Sequence, residues 1–481
     1  MLKTATNFYR ITTIGKNKNF LFGFYFLVLT FSCLYVEFYQ RYYHINLSSP
    51  EPAQIFSGQI FSLLVLLAVC VVVQQNLVDS LFAFFVGTLV MLIGGHRIGF
   101  YDFKATIQSI NVTTISLMFG MGVASITLTE SGVFVLICNK LIKMFGRSNY
   151  ALFVLLCLFS FVFSLFLNNM VSLMLVFPIT GILTRTLKLN ILPFIAGEVI
   201  ASSLGGSSTM LGGFPTYLIS TSLKIPFLTF LKILFPICFI NLIFVFSYFF
   251  TKVDFDDRSR EKLVIELPSV TVENPGIVWV QVLILCAMIG LFMISSIHPG
   301  LVALCGSFIM YTIAPRHENI LEKISYRDIA FFFFFFVFVG GITSSGLPQA
   351  VIDFLSYLTF GNKFLLAILF MWVACFVALF MGAGPTSLIF MPFFLGIHVN
   401  FSEELLIWSL LLGVCAGSSG TLAGTWGNPA LSDFIQKSAR RTGLKKRSQI
   451  SKDYLQYGMP VAYLQLVTST IYVTILYLMG V

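Results

Sequence analysis

Two stretches rich in glycine and hydroxyl side chains interrupt an otherwise apolar chain. The first holds Gly205, Gly206, Ser207, Ser208 and Thr209, then Gly212, Pro215 and Thr216; the second holds Ser418, Ser419, Thr421 and Gly424. Two shorter polar or small-residue points precede them, at Asn168-Asn169 and at Gly382, Gly384, Pro385 and Thr386. These residue types suit the replacement of a hydration shell. Unwound backbone offers carbonyls to a cation, and the free N–H groups of a half-helix suit an anion. Glycine lets a ligand approach closely, while Ser and Thr add oxygens without fixed charge. Small residues in membrane helices also serve close helix packing. The duplication of the pattern is what points to a binding site.

The elements that carry these residues follow from composition. The chain has 481 residues, 57% hydrophobic and 10% charged, with a mean hydropathy of +0.92, which indicates an integral, multi-pass membrane protein of the all-α class. Apolar segments lie near 20–36, 55–74, 78–95, 112–128, 151–184, 191–222, 226–250, 276–295, 298–314, 329–346, 364–397, 404–426 and 459–480. Segments 151–184 and 364–397 are too long for one span and have small or polar centres. Each reads as a re-entrant hairpin, leaving about 11 transmembrane helices with the N-terminus cytoplasmic and the C-terminus outside. On that topology the inner segments hold 23 of the 29 Lys and Arg residues, the others being Arg41, Arg97, Lys104, Lys224, Lys232 and Lys363. This is the asymmetry that the positive-inside rule requires.

The net charge of +9 is therefore a property of loops facing anionic lipid, and no nucleic-acid partner is implied. The chain divides into a cytoplasmic tail (1–19), first scaffold helices (20–110) and a first core with hairpin and broken helix (111–250). A cytoplasmic linker (251–275), second scaffold helices (276–328) and a second core (329–481) follow. A slide of 212 to 215 residues aligns the two cores, matching Gly205 with Gly417, Thr209 with Thr421 and Gly212 with Gly424. Because the topology brings the two hairpins in from opposite sides, the copies read as inverted repeats. In secondary transporters, paired helix breaks in such repeats flank a site at the bilayer midplane.

Other chemistries find less support. Nine cysteines lie singly in apolar runs without metal-ligand or disulfide spacing, and no cofactor is implied. The "GSSG" at 417–420 resembles an intramembrane protease motif, but none of the five histidines follows it as a base. The chain reads as a non-enzyme. A channel is the nearer rival, because re-entrant loops also build filters. Intramembrane acids are the candidates for proton coupling. The two within or bordering the core spans are Glu130, at a helix end, and Glu198, seven residues before Gly205. Glu198 suits either a coupling acid or an interhelical partner.

At these residues the chain resembles the ion transporter superfamily, which includes divalent anion/sodium symporters, citrate transporters, arsenite permeases, D-type sodium/proton antiporters and the melanosomal P protein. "FLNNMVSLMLVFPI" and "ASSLGGSSTMLGGFPTYLI" resemble the first-half motifs, and "LLGVCAGSSGTLAGTWGNPAL" the second-half partner. The resemblance covers about 112–222 and 329–440. It implies scaffold and transport domains, a homodimer and elevator-type alternating access. Asn168 and Asn169 match the first hairpin tip, Gly205 to Thr209 and Gly212 to Thr216 the first break, Gly382 to Thr386 the second tip, and Ser418 to Thr421 with Gly424 the second break. The implied function is symport of a small, di- or tricarboxylate-like anion with Na+, the ion held by Asn168, Thr209, Thr386 and Thr421. Sodium/proton antiport and arsenite efflux are the alternatives within the superfamily. Asn168 stands where the antiporter-like branch has Asp, and Gly213-Phe214 where Asp-Pro is usual.

Overall fold

The structure is a computed structural model. It describes residues 52–74, 80–132, 140, 148–167, 169–187, 189–253, 275–294, 297–314, 320, 322–324, 326–395, 404–421 and 447–480. Among these residues the secondary structure is helical, without strands. In chain order the helices are α1 (Pro52–Gln74), α2 (Ser80–Ile98), α3 (Phe103–Ser109), α4 (Val112–Glu130), α5 (Asn149–Phe166), α6 (Asn169–Thr186), α7 (Ile191–Ser208), α8 (Phe214–Ser222) and α9 (Phe227–Lys252). They continue as α10 (Pro275–Phe292), α11 (Pro299–Thr312), α12 (Tyr326–Ser344), α13 (Leu347–Leu358), α14 (Lys363–Met381), α15 (Ala383–Leu395), α16 (Glu404–Gly420) and α17 (Arg447–Leu478). Among the described residues, eight helices are long and apolar enough to cross a membrane, and α12 with α13, bent by 61°, would make a ninth. The apolar segment 20–36 and most of the linker 251–275 lie outside the described residues.

Both long apolar segments are helix pairs. In the first, α5 ends at Phe166 and α6 starts at Asn169; in the second, Gly382, with φ of +87°, turns α14 into α15. That positive φ is a conformation glycine adopts without steric cost. The hairpins begin alike. Ser148 caps α5 by accepting from the Ala151 amide at 2.9 Å, and Asn362 caps α14 by accepting from the Phe364 amide at 3.0 Å. Asn190 caps α7, accepting from the Leu192 amide at 3.1 Å.

The helices form two compact units. One comprises α1–α3, α12, α13 through Tyr357 and the end of α15 from Met391. Its phenylalanine run, which as a sequence looks like compositional bias, has a packing role. Phe331, Phe335 and Phe338 of α12 set their rings edge-on to Phe84 of α2, at centroid distances of 5.1, 6.0 and 5.6 Å. The carbonyls of Phe334 and Val337 accept from the hydroxyls of Thr88 and Tyr101, at 2.9 and 2.8 Å.

The other unit comprises α4–α11, α14, the start of α15, α16 and α17. An apolar core in it joins α5, α6, α7 and α9 through residues such as Phe153, Leu156, Val176, Phe194 and Phe249. Here α7 runs beside α5 in the same direction. Gly197 packs on Phe153, Gly205 on the Phe161 carbonyl, and Thr209 reaches the Leu165 carbonyl.

Candidate functional site

The nonhelical backbone of the first break is shorter than the sequence motif. Helix α7 continues through Gly205, Gly206, Ser207 and Ser208, so these form its last turn. The interruption is Thr209–Gly213, and α8 restarts at Phe214 with Pro215 in its first turn. Proline suits that position, where an amide would have no helical partner. In the second half α16 extends through Ser418, Ser419 and Gly420, and Thr421 is the first residue beyond it. Gly424 and Asn168 lie outside the described residues.

Asn169 ties the first hairpin tip to this break. Its backbone amide donates to the Gly212 carbonyl at 3.0 Å. With its side-chain amide oriented by its neighbours, the nitrogen donates to the carbonyls of Ser202 at 3.2 Å and Gly212 at 2.8 Å, and to the Ser164 hydroxyl. The Ser202 hydroxyl donates to the Asn169 carbonyl at 3.2 Å. Gly206 leaves room for this side chain: a Cβ there would overlap the Asn169 amide and force it to shift.

Thr209 and Thr421 make matching contacts. Thr209 donates to the Leu165 carbonyl at 2.5 Å and Thr421 to the Leu379 carbonyl at 2.6 Å, so each helix end is tied to the first helix of its hairpin. One and two turns earlier, small residues continue both stripes: Gly205 and Ala201 on α7, Gly417 and Gly413 on α16. A Cβ on Gly205 would overlap the Phe161 carbonyl, and one on Gly417 the Cys375 carbonyl. This spacing of four residues lets helix backbones touch. The two halves also meet directly. The hydroxyls of Ser203 and Ser418 lie 2.8 Å apart, and the Cys415 thiol donates to the Ser203 carbonyl at 3.8 Å.

A cavity of about 20 Å³ opens where these parts converge, room for one water-sized group. Of the residues singled out from the sequence, Asn169, Gly206, Ser207, Pro215, Thr216 and Ser418 line it. Gly213 and Ala383, which fall within the ranges read as the first break and the second tip, line it too, and sequence reasoning missed Ser203, Leu411, Val414 and Cys415, which complete the lining. Ser203 and Cys415 stand at equivalent positions under the 212-residue offset, a signal the alignment held. The hydroxyls of Thr209, Thr386 and Thr421 do not line this cavity; Thr386 donates back to the Gly382 carbonyl at 2.7 Å. Ser208 donates to the Leu204 carbonyl at 2.7 Å and Ser419 to the Cys415 carbonyl at 3.0 Å. Gly205, Gly212 and Gly384 are likewise absent from the lining, and the Pro385 side chain lies outside what the structure describes.

Glu198 is fully buried within the α5–α7 core. Its Oε1 accepts from the Thr180 hydroxyl at 2.5 Å, and its Oε2 has no hydrogen-bond partner. Ser202, one turn on, meets Ser164 at 3.3 Å. The hydroxyl of Ser160 on α5 is also unpartnered, while the Ser160 carbonyl accepts from the Ser172 hydroxyl at 2.9 Å. Glu130, by contrast, pairs with Lys323 at 2.6 Å, both side chains a third to a half exposed.

A family profile described as "Citrate transporter" matches residues 63–447. The chain belongs to the citrate transporter family. The chain is similar to magnetosome protein MamN of Magnetospirillum gryphiswaldense, 27% identical over 86% of this chain and 98% of that protein, and to an uncharacterized transporter of Mycobacterium tuberculosis, 24% identical over 79% and 89%. The fold of this citrate transporter family member is similar to that of the YdaH transporter of Alcanivorax borkumensis. The TM-score is 0.56 at 13% identity, covering 79% of this chain and 87% of that one.

Proposed function

We propose that this citrate transporter family member is a sodium-coupled secondary transporter of a small di- or tricarboxylate-like anion. It works by elevator-type alternating access between two inverted repeats, as a homodimer. The observation that carries this reading is the convergence of a hairpin tip, a helix break and the second hairpin on one cavity lined by Asn169, Ser207, Thr216, Ala383 and Ser418. The repeat reading draws support from Ser203 and Cys415. These equivalent positions touch one another, as residues lying near a two-fold axis between two copies would.

A cavity of this size accepts an ion or a water. A polycarboxylate would enter only after the hairpins separate. None of the lining residues is Lys or Arg, so the anion would be held by amides, hydroxyls, the N-terminus of α8 and a co-bound cation. Proteoliposomes loaded with the purified protein test this. Citrate uptake should follow an inward sodium gradient; uptake indifferent to sodium and driven by a pH gradient would overturn the coupling.

A second reading, sodium/proton antiport, is favoured by Glu198 alone: a fully buried carboxyl with one unpartnered oxygen is a place to carry a proton. Saturable counterflow separates either carrier from a channel.

A further inference from the structure

Helix α13 joins two apolar helices. The 19 residues of α12 before it are about 28 Å long, close to the roughly 30 Å of a hydrocarbon core, so one crossing is complete where the chain bends by 61°. Gly346, with φ of +73°, makes the bend, and the Ser345 hydroxyl oxygen accepts from the Leu347 amide at 3.3 Å. After α13, the apolar helix α14 starts at Lys363. A helix between the end of one apolar segment and the start of the next has the bilayer surface as its place.

The helical turn of about 3.6 residues gives α13 three sides. Pro348 is buried, and Val351, Ile352 and Leu355 are half-buried, on the inner side. Gln349 and Asp353 form an exposed polar strip, closed by a 3.0 Å hydrogen bond from the Gln349 amide to the Asp353 carboxylate. Beside that strip, Phe354, Tyr357 and Leu358 are 60, 82 and 52% exposed. Two residues past the helix, Phe360 is 93% exposed and holds φ of +52°, a conformation that a bulky side chain adopts at a steric cost.

We propose that α13 is an interfacial anchor: Phe354, Tyr357 and Leu358, with Phe360, lie in the headgroup–acyl boundary of the bilayer, and the Gln349–Asp353 strip faces water. Lipid is the occupant because a polar strip runs directly alongside an aromatic one, the arrangement that a water–lipid boundary imposes on a helix lying in it. Aromatic rings concentrate at that boundary. Helix α13 carries no Lys or Arg, so attachment rests on apolar burial and is indifferent to lipid charge. The anchor sets the depth at which α14 starts, whatever cargo the cavity carries.

The test uses full-length wild type in vesicles of phosphatidylcholine, with and without phosphatidylglycerol. One sample is photolabelled with a diazirine carried near the glycerol level of a phospholipid, another with a water-soluble diazirine, and peptide mass spectrometry locates the adducts. Phe354, Tyr357 and Phe360 should take chiefly the lipid-borne label, Gln349 and Asp353 chiefly the soluble one, alike in both vesicles. Soluble label in place of lipid-borne label on Phe354 and Tyr357 would overturn the proposal. Protection of both residues from both reagents would also overturn it, since protein would then cover that side. So would lipid-borne labelling that is lost without phosphatidylglycerol.

Discussion

Thr209 donates its hydroxyl to the carbonyl of Leu165 at 2.5 Å, fastening the end of a broken helix to the end of the hairpin helix beside it. The Leu165 carbonyl lies near the C-terminus of α5, where helical carbonyls lack partners of their own. Thr421 does the same for Leu379 at the end of α14. Thr209→Ala should therefore cost about 1–3 kcal/mol of stability, the penalty for stranding a buried acceptor. It should also abolish uptake while the protein still inserts and purifies as a folded species. Thermal melting in detergent and proteoliposome uptake, measured on one preparation, check both halves of this expectation.

Gly205 and Gly417 sit where helix backbones touch. Gly205→Ala and Gly417→Ala should each lower stability by about 1–3 kcal/mol, because overpacking drives the helix pairs apart. The control is Gly290→Ala, whose added Cβ would meet nothing within 4 Å. That variant should melt like wild type or slightly higher, since alanine favours the helix. Equal melting of all three would remove the close-packing account.

The two acids should differ. Glu130→Gln breaks a half-exposed ion pair with Lys323, worth about 0–1 kcal/mol, and should leave transport unaltered. Glu198→Ala should destabilise by about 2 kcal/mol or more through a cavity and a stranded Thr180 hydroxyl. Glu198→Gln keeps the acceptor for Thr180 and should retain sodium-driven uptake within about twofold of wild type. Loss of that uptake with intact counterflow would transfer the account to proton antiport.

Much of this architecture is legible in the sequence because lipid forces helices, and the ends of α5 through α9 fall within a few residues of the apolar segment limits. The pairing of α5 with α6 and of α14 with α15 follows from segment length and a small or polar centre. The extent of the break was less legible. Gly205 and Gly206 read as chain breakers, yet neighbouring helices need them small, so they remain helical and serve contact with Phe161 and Asn169. Leu411 and Val414 were invisible as lining residues because aliphatic side chains in an apolar helix carry no local mark. Cys415 was hidden for a similar reason: a single cysteine in an apolar run carries no local mark of the cavity it lines.

The central claim is that cargo binds where Asn169 joins the hairpin tip to the helix break. Counterflow of radiolabelled citrate in proteoliposomes, with no ion gradient imposed, tests it most directly. Wild type should show saturable counterflow, and Asn169→Ala should lose it while retaining a folded elution profile. Undiminished counterflow in the variant would contradict the account.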